Sequence, residues 1–144
     1  MKIEVYTDGS VLRNPNGPGG WAFVVVRDGD AREQVSGHSP STTNNIMEMT
    51  AVLEAVKFIP EPERFTVVSD SEYVVKGINQ WMPRWKSRGW RKSGGPIMNL
   101  HLWKQLDEHF DPSRMSIEWV RGHHLSEFNE LADRLAGREA RCYA

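Results

Sequence analysis

Residues 65–81, FTVVSDSEYVVKGINQW, contain the order of elements that decides the fold class. Phe65–Ser69 is a short apolar run that predicts a buried strand, and Ser71–Trp81 is predicted to form a helix directly after it. Asp70 lies at the carboxyl end of the predicted strand, which is where open α/β sheets form their ligand crevice. This stretch therefore predicts an α/β protein with a site near Asp70.

The segments on either side complete an alternation of strands and helices. Before residue 65, the pattern predicts an antiparallel meander of three strands, followed by a helix. Thr43 or Asn44 is predicted to cap the start of this helix, and Pro60 and Pro62 are predicted to end it. After residue 81, it predicts a helix, a strand and a final helix opened by Ser126. The order predicts a mixed five-stranded sheet with helices on both faces. The predicted ranges are Ile3–Leu12, Trp21–Arg27, Arg32–Gly37, Asn44–Ile59, Leu100–Phe110, Met115–Val120 and Glu127–Arg141.

Length and composition predict one domain over residues 1–144. The only cysteine, Cys142, excludes an internal disulfide framework and favours a reducing compartment. The longest apolar run, Trp21–Val26, is too short to cross a membrane, and residues 1–5 have no apolar signal core. We therefore expect a soluble, cytoplasmic monomer with no membrane association and no obligate protein partner.

Charge is distributed unevenly along the chain, although the formal net charge is only −1. The stretch from Tyr73 to Leu106 has seven basic and no acidic residues, so the remainder has a net charge of −8. Five of these cations lie in residues 84–92, here called the basic segment, where they alternate with Trp85 and Trp90. Such a composition indicates a protrusion that binds a phosphate backbone, and a solvated charged face is the alternative.

Four carboxylates at the edges of predicted elements, Asp8, Glu48, Asp70 and Asp133, are candidates for one metal site. Two unit charges about 4 Å apart repel by roughly 4 kcal/mol at an effective dielectric near 20, so a cluster of them requires cations, most commonly Mg²⁺. Helical periodicity directs Glu48 toward the sheet, where an unpaired charge is costly. Each of the other three carboxylates has an alternative to metal binding. Asp8 could simply face solvent, Asp70 could cap the following helix, and Asp133 could be an ordinary surface charge.

Five ordered motifs resemble those of the type 1 ribonuclease H family in its bacterial form, and the similarity covers essentially the whole chain. The motifs are Tyr6-Thr7-Asp8-Gly9-Ser10, Thr43-Asn44-Asn45-Ile46-Met47-Glu48, Ser69-Asp70-Ser71-Glu72-Tyr73-Val74, Trp119-Val120-Arg121-Gly122-His123 and Asn129-Glu130-Leu131-Ala132-Asp133. The resemblance implies a ribonuclease H-like fold and hydrolysis of the RNA strand of RNA/DNA hybrids, leaving 5′-phosphate and 3′-hydroxyl ends. It also implies that Asp8, Glu48, Asp70 and Asp133 bind two Mg²⁺ ions, or Mn²⁺ in their place, and that His123 is a catalytic histidine.

The same resemblance assigns residues to the substrate. Asn14, Asn44 and Asn45 match the family's minor-groove residues, and Glu72 stands where the family often has glutamine. Thr43 and Asn99 match its pocket for a DNA-strand phosphate, and Trp81, Trp85, Lys86 and Arg88 belong to the protrusion that grips the DNA strand. For the asparagines, a role in turns and helix caps is the alternative to substrate binding. For the tryptophans, packing in the core is the alternative. A noncatalytic hybrid-binding module and a related metal-dependent exonuclease or strand-transfer domain are the rival functions.

Overall fold

The computed structural model describes residues 1–121 and 126–143. The chain alternates strands and helices in the predicted order. The strands are β1 (Ile3–Val11), β2 (Gly17–Arg27), β3 (Asp30–Thr42), β4 (Phe65–Ser69) and β5 (Met115–Trp119). The helices are α1 (Asn44–Phe58), α2 (Glu72–Lys76), α3 (Met82–Ser87), α4 (Leu100–His109) and α5 (Glu127–Ala140), with a π-helical turn at Gly77–Trp81 and a 3₁₀ turn at Arg141–Tyr143.

The strands form one mixed sheet in the order β3-β2-β1-β4-β5. The meander β1-β2-β3 is antiparallel, whereas β4 pairs in parallel with β1 and with β5. The predicted five-stranded mixed sheet is therefore confirmed. No helix in the described part of the chain is long and apolar enough to span a membrane.

Helices cover both faces of the sheet, as predicted, because each face buries its own apolar core. On one face, helices α1 and α4 bury Val52 and Trp103 in a cluster that includes Val5 and Phe23 of the sheet. On the opposite face, Ala132, Leu135 and Ala136 of α5 pack on Ala22, Val24 and Val26 of β2. Removing this much apolar surface from water is the main stabilising contribution to the fold.

Two elements of the meander are longer than the sequence predicted. β2 begins at Gly17 rather than at Trp21, and β3 spans Asp30–Thr42 rather than Arg32–Gly37. Residues that were predicted as a turn are drawn into the sheet by pairing, with Gly19 opposite Ser39 and Gly20 opposite His38. Glycine is needed at position 20, because a side chain there would meet the backbone of α5.

The predicted helix Ser71–Trp81 is interrupted and then continues further than expected. α2 ends at Lys76, the π-helical turn follows, and α3 carries helical structure to Ser87 inside the basic segment. Gly77 lies against the ring of Trp103, where a Cβ atom would overlap the indole. Pro83 lacks the N–H group that a continuous α-helix would require. The predicted helix over Ser71–Trp81 is therefore confirmed, but hydrophobic periodicity showed neither its change to π-helical hydrogen bonding nor its continuation to Ser87.

Candidate active site

Asp8 and Asp70 are brought together by the parallel pairing of β1 with β4. Thr7 lies opposite Ser69 in this pairing, so the next residue of each strand projects at the same edge of the sheet. Asp8 is buried, and Asp70 is partly buried. The Asp70 carbonyl oxygen also accepts a hydrogen bond from Trp119 Nε1 of β5 at 3.1 Å, which holds the end of β4 against its other neighbour.

Helix α1 brings Glu48 to the same edge through a close approach to Gly9. A Cβ atom at Gly9 would lie 2.5 Å from the Glu48 nitrogen and 2.6 Å from the Met47 carbonyl carbon, closer than real Cβ contacts. Glycine at position 9 therefore sets the distance between β1 and α1. Glu48 is only 6% exposed, as expected from its place on the apolar face of the helix.

Asp8, Glu48 and Asp70 form a carboxylate cluster in which one oxygen of each lies within 4.8 Å of the others. A backbone N–H group, that of Gly9, donates to Asp8 Oδ1 at 2.9 Å. Glu48 Oε1 and Asp70 Oδ1 are buried and have no hydrogen-bond partner among the described residues. Buried, unpartnered carboxylate oxygens within one cluster fit the ligand preference of a hard divalent cation.

The electrostatics of the cluster oppose full ionisation without cations. Burial, followed by the nearby charges of Asp70 and Asp133, raises the pKa of Asp8 to about 8. Burial also raises the pKa of Glu48 well above its ordinary value, and Asp8 and Asp70 contribute in the same direction. Burial is the largest cause of the raised pKa of Asp70. Divalent cations would offset both the desolvation and the mutual repulsion.

Asp133 lies at the exposed rim of this cluster. It is on α5, and its carboxyl group is close enough to Asp8 to raise the pKa of that residue. Periodicity indicated a surface charge and the resemblance indicated a metal ligand; Asp133 is both exposed and adjacent to the buried acids. His123 lies outside the described residues, so its predicted role stays a prediction.

Four of the predicted substrate residues, Asn14, Thr43, Asn44 and Asn45, gather at the start of α1. Thr43 is the N-cap, and its Oγ1 accepts a hydrogen bond from the Ile46 nitrogen at 3.2 Å. Asn14 Oδ1 accepts from the Asn44 nitrogen at 3.2 Å, which ties the β1–β2 turn to the helix. Asn14, Asn44 and Asn45 are exposed, so cap and turn roles leave these residues accessible to a ligand.

Two further predicted substrate residues have partners within the protein. Glu72, exposed at the start of α2, pairs with Lys76 at 3.2 Å. Asn99 has a left-handed backbone conformation, with φ of 59°, and its Nδ2 donates to the Tyr73 hydroxyl at 3.2 Å. Both residues are therefore next to Tyr73, Glu72 through the sequence and Asn99 through its hydrogen bond.

The basic segment and the π-helical turn form a groove of about 390 Å³. Trp81 and Trp85 line it, with ring centroids 5.9 Å apart, and both also pack on the buried Trp103. Arg88 lines the groove as well, whereas Lys86 pairs with Asp107 of α4 at 3.2 Å. The groove lining also includes Arg84 and Lys92, two cations of the basic segment, and it includes Tyr73, Ser93 and Met98, which sequence reasoning did not single out as substrate-binding.

Of these additional residues, Arg84 and Lys92 carry a signal in the sequence, because both belong to the stretch without acidic residues. Tyr73 lies in a family motif, but no local pattern directs it to the groove, and Met98 reaches the groove only through tertiary packing. Trp81 and Trp85 pack on the core and also line the groove, so core packing does not exclude contact with DNA, which stays a prediction.

A sheet in the order β3-β2-β1-β4-β5, with acidic side chains gathered at the ends of β1 and β4, defines the ribonuclease H-like class of nucleases. The profile of the RNase H family matches residues 1–141. A ribonuclease H from Stutzerimonas stutzeri is 47% identical over 137 residues, which cover 94% of this chain and 89% of that protein. The chain belongs to the ribonuclease H family, whose members degrade RNA in RNA/DNA hybrids.

Solved structures give the same result. LC9-RNase H1, a type 1 RNase H with the type 2 active-site motif, superposes with a TM-score of 0.83 at 34% identity, covering 99% of this chain and 73% of that one. The foamy viral protease-reverse transcriptase in complex with RNA/DNA hybrid superposes with a TM-score of 0.83 at 26% identity, covering 96% of this chain and 20% of that one.

Proposed function

We propose that this protein is an endoribonuclease that hydrolyses the RNA strand of RNA/DNA hybrids and leaves 5′-phosphate and 3′-hydroxyl ends. Asp8, Glu48, Asp70 and Asp133 would hold two Mg²⁺ ions, with Mn²⁺ as an alternative. The observation that supports this most strongly is the carboxylate cluster, in which Glu48 and Asp70 each have a buried oxygen without a hydrogen-bond partner among the described residues.

The donor set fits a hard divalent cation, because all the ligands are carboxylate oxygens and the site requires positive charge. When bound, the cations supply an activated water and stabilise the charge of the departing 3′-oxygen. Two contacts of Gly9 hold the metal-ligating residues in place without substrate. Its N–H group donates a hydrogen bond to one oxygen of Asp8, and its close packing against α1 fixes the backbone of Glu48. Exposed Asp133 leaves the cluster open on the side of α5.

Substrate binding is proposed to use two surfaces on either side of the cluster. The exposed asparagines 14, 44 and 45 would contact the wide, shallow minor groove, where the 2′-hydroxyls of the RNA strand lie. The groove beside α3 would hold the DNA strand, because it combines Arg84, Arg88 and Lys92 with tryptophan faces. A solved structural relative has an RNA/DNA hybrid bound, which agrees with this substrate.

His123 is proposed, from the family resemblance alone, to pass a proton to the leaving group or to assist product release. A histidine suits this task because its ordinary pKa lies close to neutral pH.

The activity is tested by incubating labelled RNA/DNA hybrid, RNA duplex and DNA duplex with the protein, with Mg²⁺ or with EDTA. We expect internal cuts in the RNA of the hybrid alone, and none in EDTA. Asp70→Asn should abolish turnover while hybrid binding is retained, because it removes a charge from the metal site and keeps the shape. Asp30→Asn, at an exposed position at the start of β3, is the matched control and should retain full activity. Binding without any cleavage would instead indicate a noncatalytic hybrid-binding module.

A further inference from the structure

A second group of metal-ligating side chains lies on the opposite edge of the protein from the basic segment. His38 of β3, Glu139 of α5 and Cys142 of the 3₁₀ turn each have one ligand atom within 4.8 Å of the other two. None of the three belongs to the carboxylate cluster or to the groove. The set combines an imidazole, a carboxylate and a thiol, which differs chemically from the all-oxygen cluster of the proposed active site.

The fold brings these residues together through three separate features. Ser36 and His38 are two residues apart on β3, so both side chains point to the face that α5 covers. Gly20, which pairs with His38, has no side chain and lets the end of α5 approach until Glu139 lies beside β3. The 3₁₀ turn after α5 then brings Cys142 Sγ to 3.6 Å from Glu139 Oε1.

The three ligand atoms lie within 4.8 Å of one another, and one of their distances already matches a tetrahedral zinc site. With usual Zn–N, Zn–O and Zn–S distances, tetrahedral ligand atoms lie about 3.3 to 3.6 Å apart. His38 Nδ1 lies 2.9 Å from Glu139 Oε1, and Cys142 Sγ lies 3.6 Å from the same oxygen. Small side-chain rotations would therefore admit an ion among the three atoms.

The carboxylate is also oriented by a neighbour. Ser36 Oγ donates a hydrogen bond of 2.6 Å to Glu139 Oε2, the oxygen that does not face His38 and Cys142. Metal-ligating carboxylates are commonly held by such a hydrogen bond. Ser36 therefore leaves Glu139 Oε1 directed at the two other ligand atoms.

We propose that His38, Glu139 and Cys142 bind a Zn²⁺ ion, with water in the fourth position. Binding displaces the proton of the Cys142 thiol to solvent and uses neutral His38, so that two negative ligands balance the charge of the ion. Thiolate and imidazole favour Zn²⁺ over Mg²⁺, which takes oxygen ligands. The ion would join edge strand β3 to α5, the helix that also carries Asp133.

Cobalt gives a sensitive test, because Co²⁺ accepts the same ligands and shows a thiolate-to-cobalt charge-transfer band, whereas Zn²⁺ is spectroscopically silent. Since Cys142 is the only cysteine, any such band must come from this residue. The intact protein is titrated with Co²⁺ in the presence of excess Mg²⁺, which is added to fill the carboxylate cluster. The buffer contains a reductant that has no thiol group. We expect a band that saturates at one Co²⁺ per chain and disappears when one equivalent of Zn²⁺ is added.

Substitutions distinguish a three-residue metal site from binding by the exposed thiol of Cys142 alone. Cys142→Ser should abolish the band, and His38→Gln should weaken Co²⁺ binding at least tenfold. His101 is an exposed histidine on α4, so His101→Gln is the matched control and should bind Co²⁺ as the wild type does. Ser36→Ala should weaken binding about 10- to 100-fold, because it frees the carboxylate without removing a ligand.

The proposal is overturned by either of two results in the wild-type titration: no band at several equivalents of Co²⁺, or saturation at one ion per two chains. It is also overturned if His38→Gln binds with unchanged affinity. Circular dichroism spectra of each variant establish that the fold is retained. Because the readout is spectroscopic, failure here leaves the proposed nuclease activity untouched, and failure of the cleavage assay leaves this site untouched.

Discussion

Replacing Asp8 with asparagine is expected to stabilise the metal-free protein at neutral and alkaline pH. Burial and the neighbouring acids raise the pKa of Asp8 from 3.8 to about 8 in the folded chain. The folded state therefore binds more protons than the unfolded state between these values, so the stability of the wild type falls as the pH rises through this window. Asparagine keeps the shape and the acceptor for the Gly9 N–H group but carries no charge.

The size of the effect follows from the same pKa values. Each tenfold change in proton affinity corresponds to about 1.4 kcal/mol, so the difference between 3.8 and about 8 sets an upper bound of about 6 kcal/mol above pH 8. Because Glu48 and Asp70 share the repulsion, we expect a gain of about 2 to 4 kcal/mol near pH 9 and almost none near pH 4. The sign is opposite to that of most substitutions at buried positions.

The assay is urea unfolding followed by circular dichroism, in EDTA, near pH 5, pH 7 and pH 9. Asp30→Asn is the control, because the side chain of Asp30 is 73% exposed and its ion pair with Arg32 should contribute little. Adding Mg²⁺ should stabilise the wild type more than it stabilises Asp8→Asn, because the cation offsets the unfavourable free energy of the buried Asp8 charge. The reasoning is refuted if Asp8→Asn in EDTA is no more stable than the wild type near pH 9.

Three other substitutions test the groove and the packing beneath it. Arg88→Ala should weaken hybrid binding and lower the slope of log affinity against log salt by about 1, measured by fluorescence anisotropy. Lys86→Ala should change the slope less, because Lys86 pairs with Asp107, and equal slopes for the two variants would contradict this. Gly77→Ala should cost at least about 2 kcal/mol in urea unfolding, because its methyl group would overlap Trp103, whereas Gly137→Ala in α5 should be neutral or stabilising. Wild-type stability of Gly77→Ala would refute the proposed overlap.

The parts of the site that lie on regular elements could be predicted from the sequence. The apolar face of α1 places Glu48 toward the sheet, so a local pattern was sufficient for Glu48. The position of Asp70 directly after a buried strand indicated the site but fitted a helix cap equally well. Asp133 could not be assigned in this way, because it is exposed, and its position next to Asp8 depends on how α5 crosses the sheet. For that residue, only the family motif carried a signal.

Features that depend on pairing between distant segments escaped prediction. β2 extends through the glycine-rich residues 17–20, and β3 extends through residues 38–42, because each strand satisfies hydrogen bonds of the other. The π-helical turn at Gly77–Trp81 lies beside a tryptophan from α4, which no local pattern identifies. The ion pair of Lys86 with Asp107 likewise follows from the packing of α3 near α4, although the sequence showed only a run of basic residues.

If the carboxylate cluster binds a cation as proposed, the parallel pairing of β1 with β4 also affects how long the folded protein survives. Asp8 and Asp70 become neighbours only after these strands have met, so a cation held between them binds the native state and no intermediate in which β4 is still detached. Opening the sheet at this point requires release of the ion. Abundant magnesium is thus expected to slow unfolding and to protect the chain from proteases, even when no nucleic acid is present.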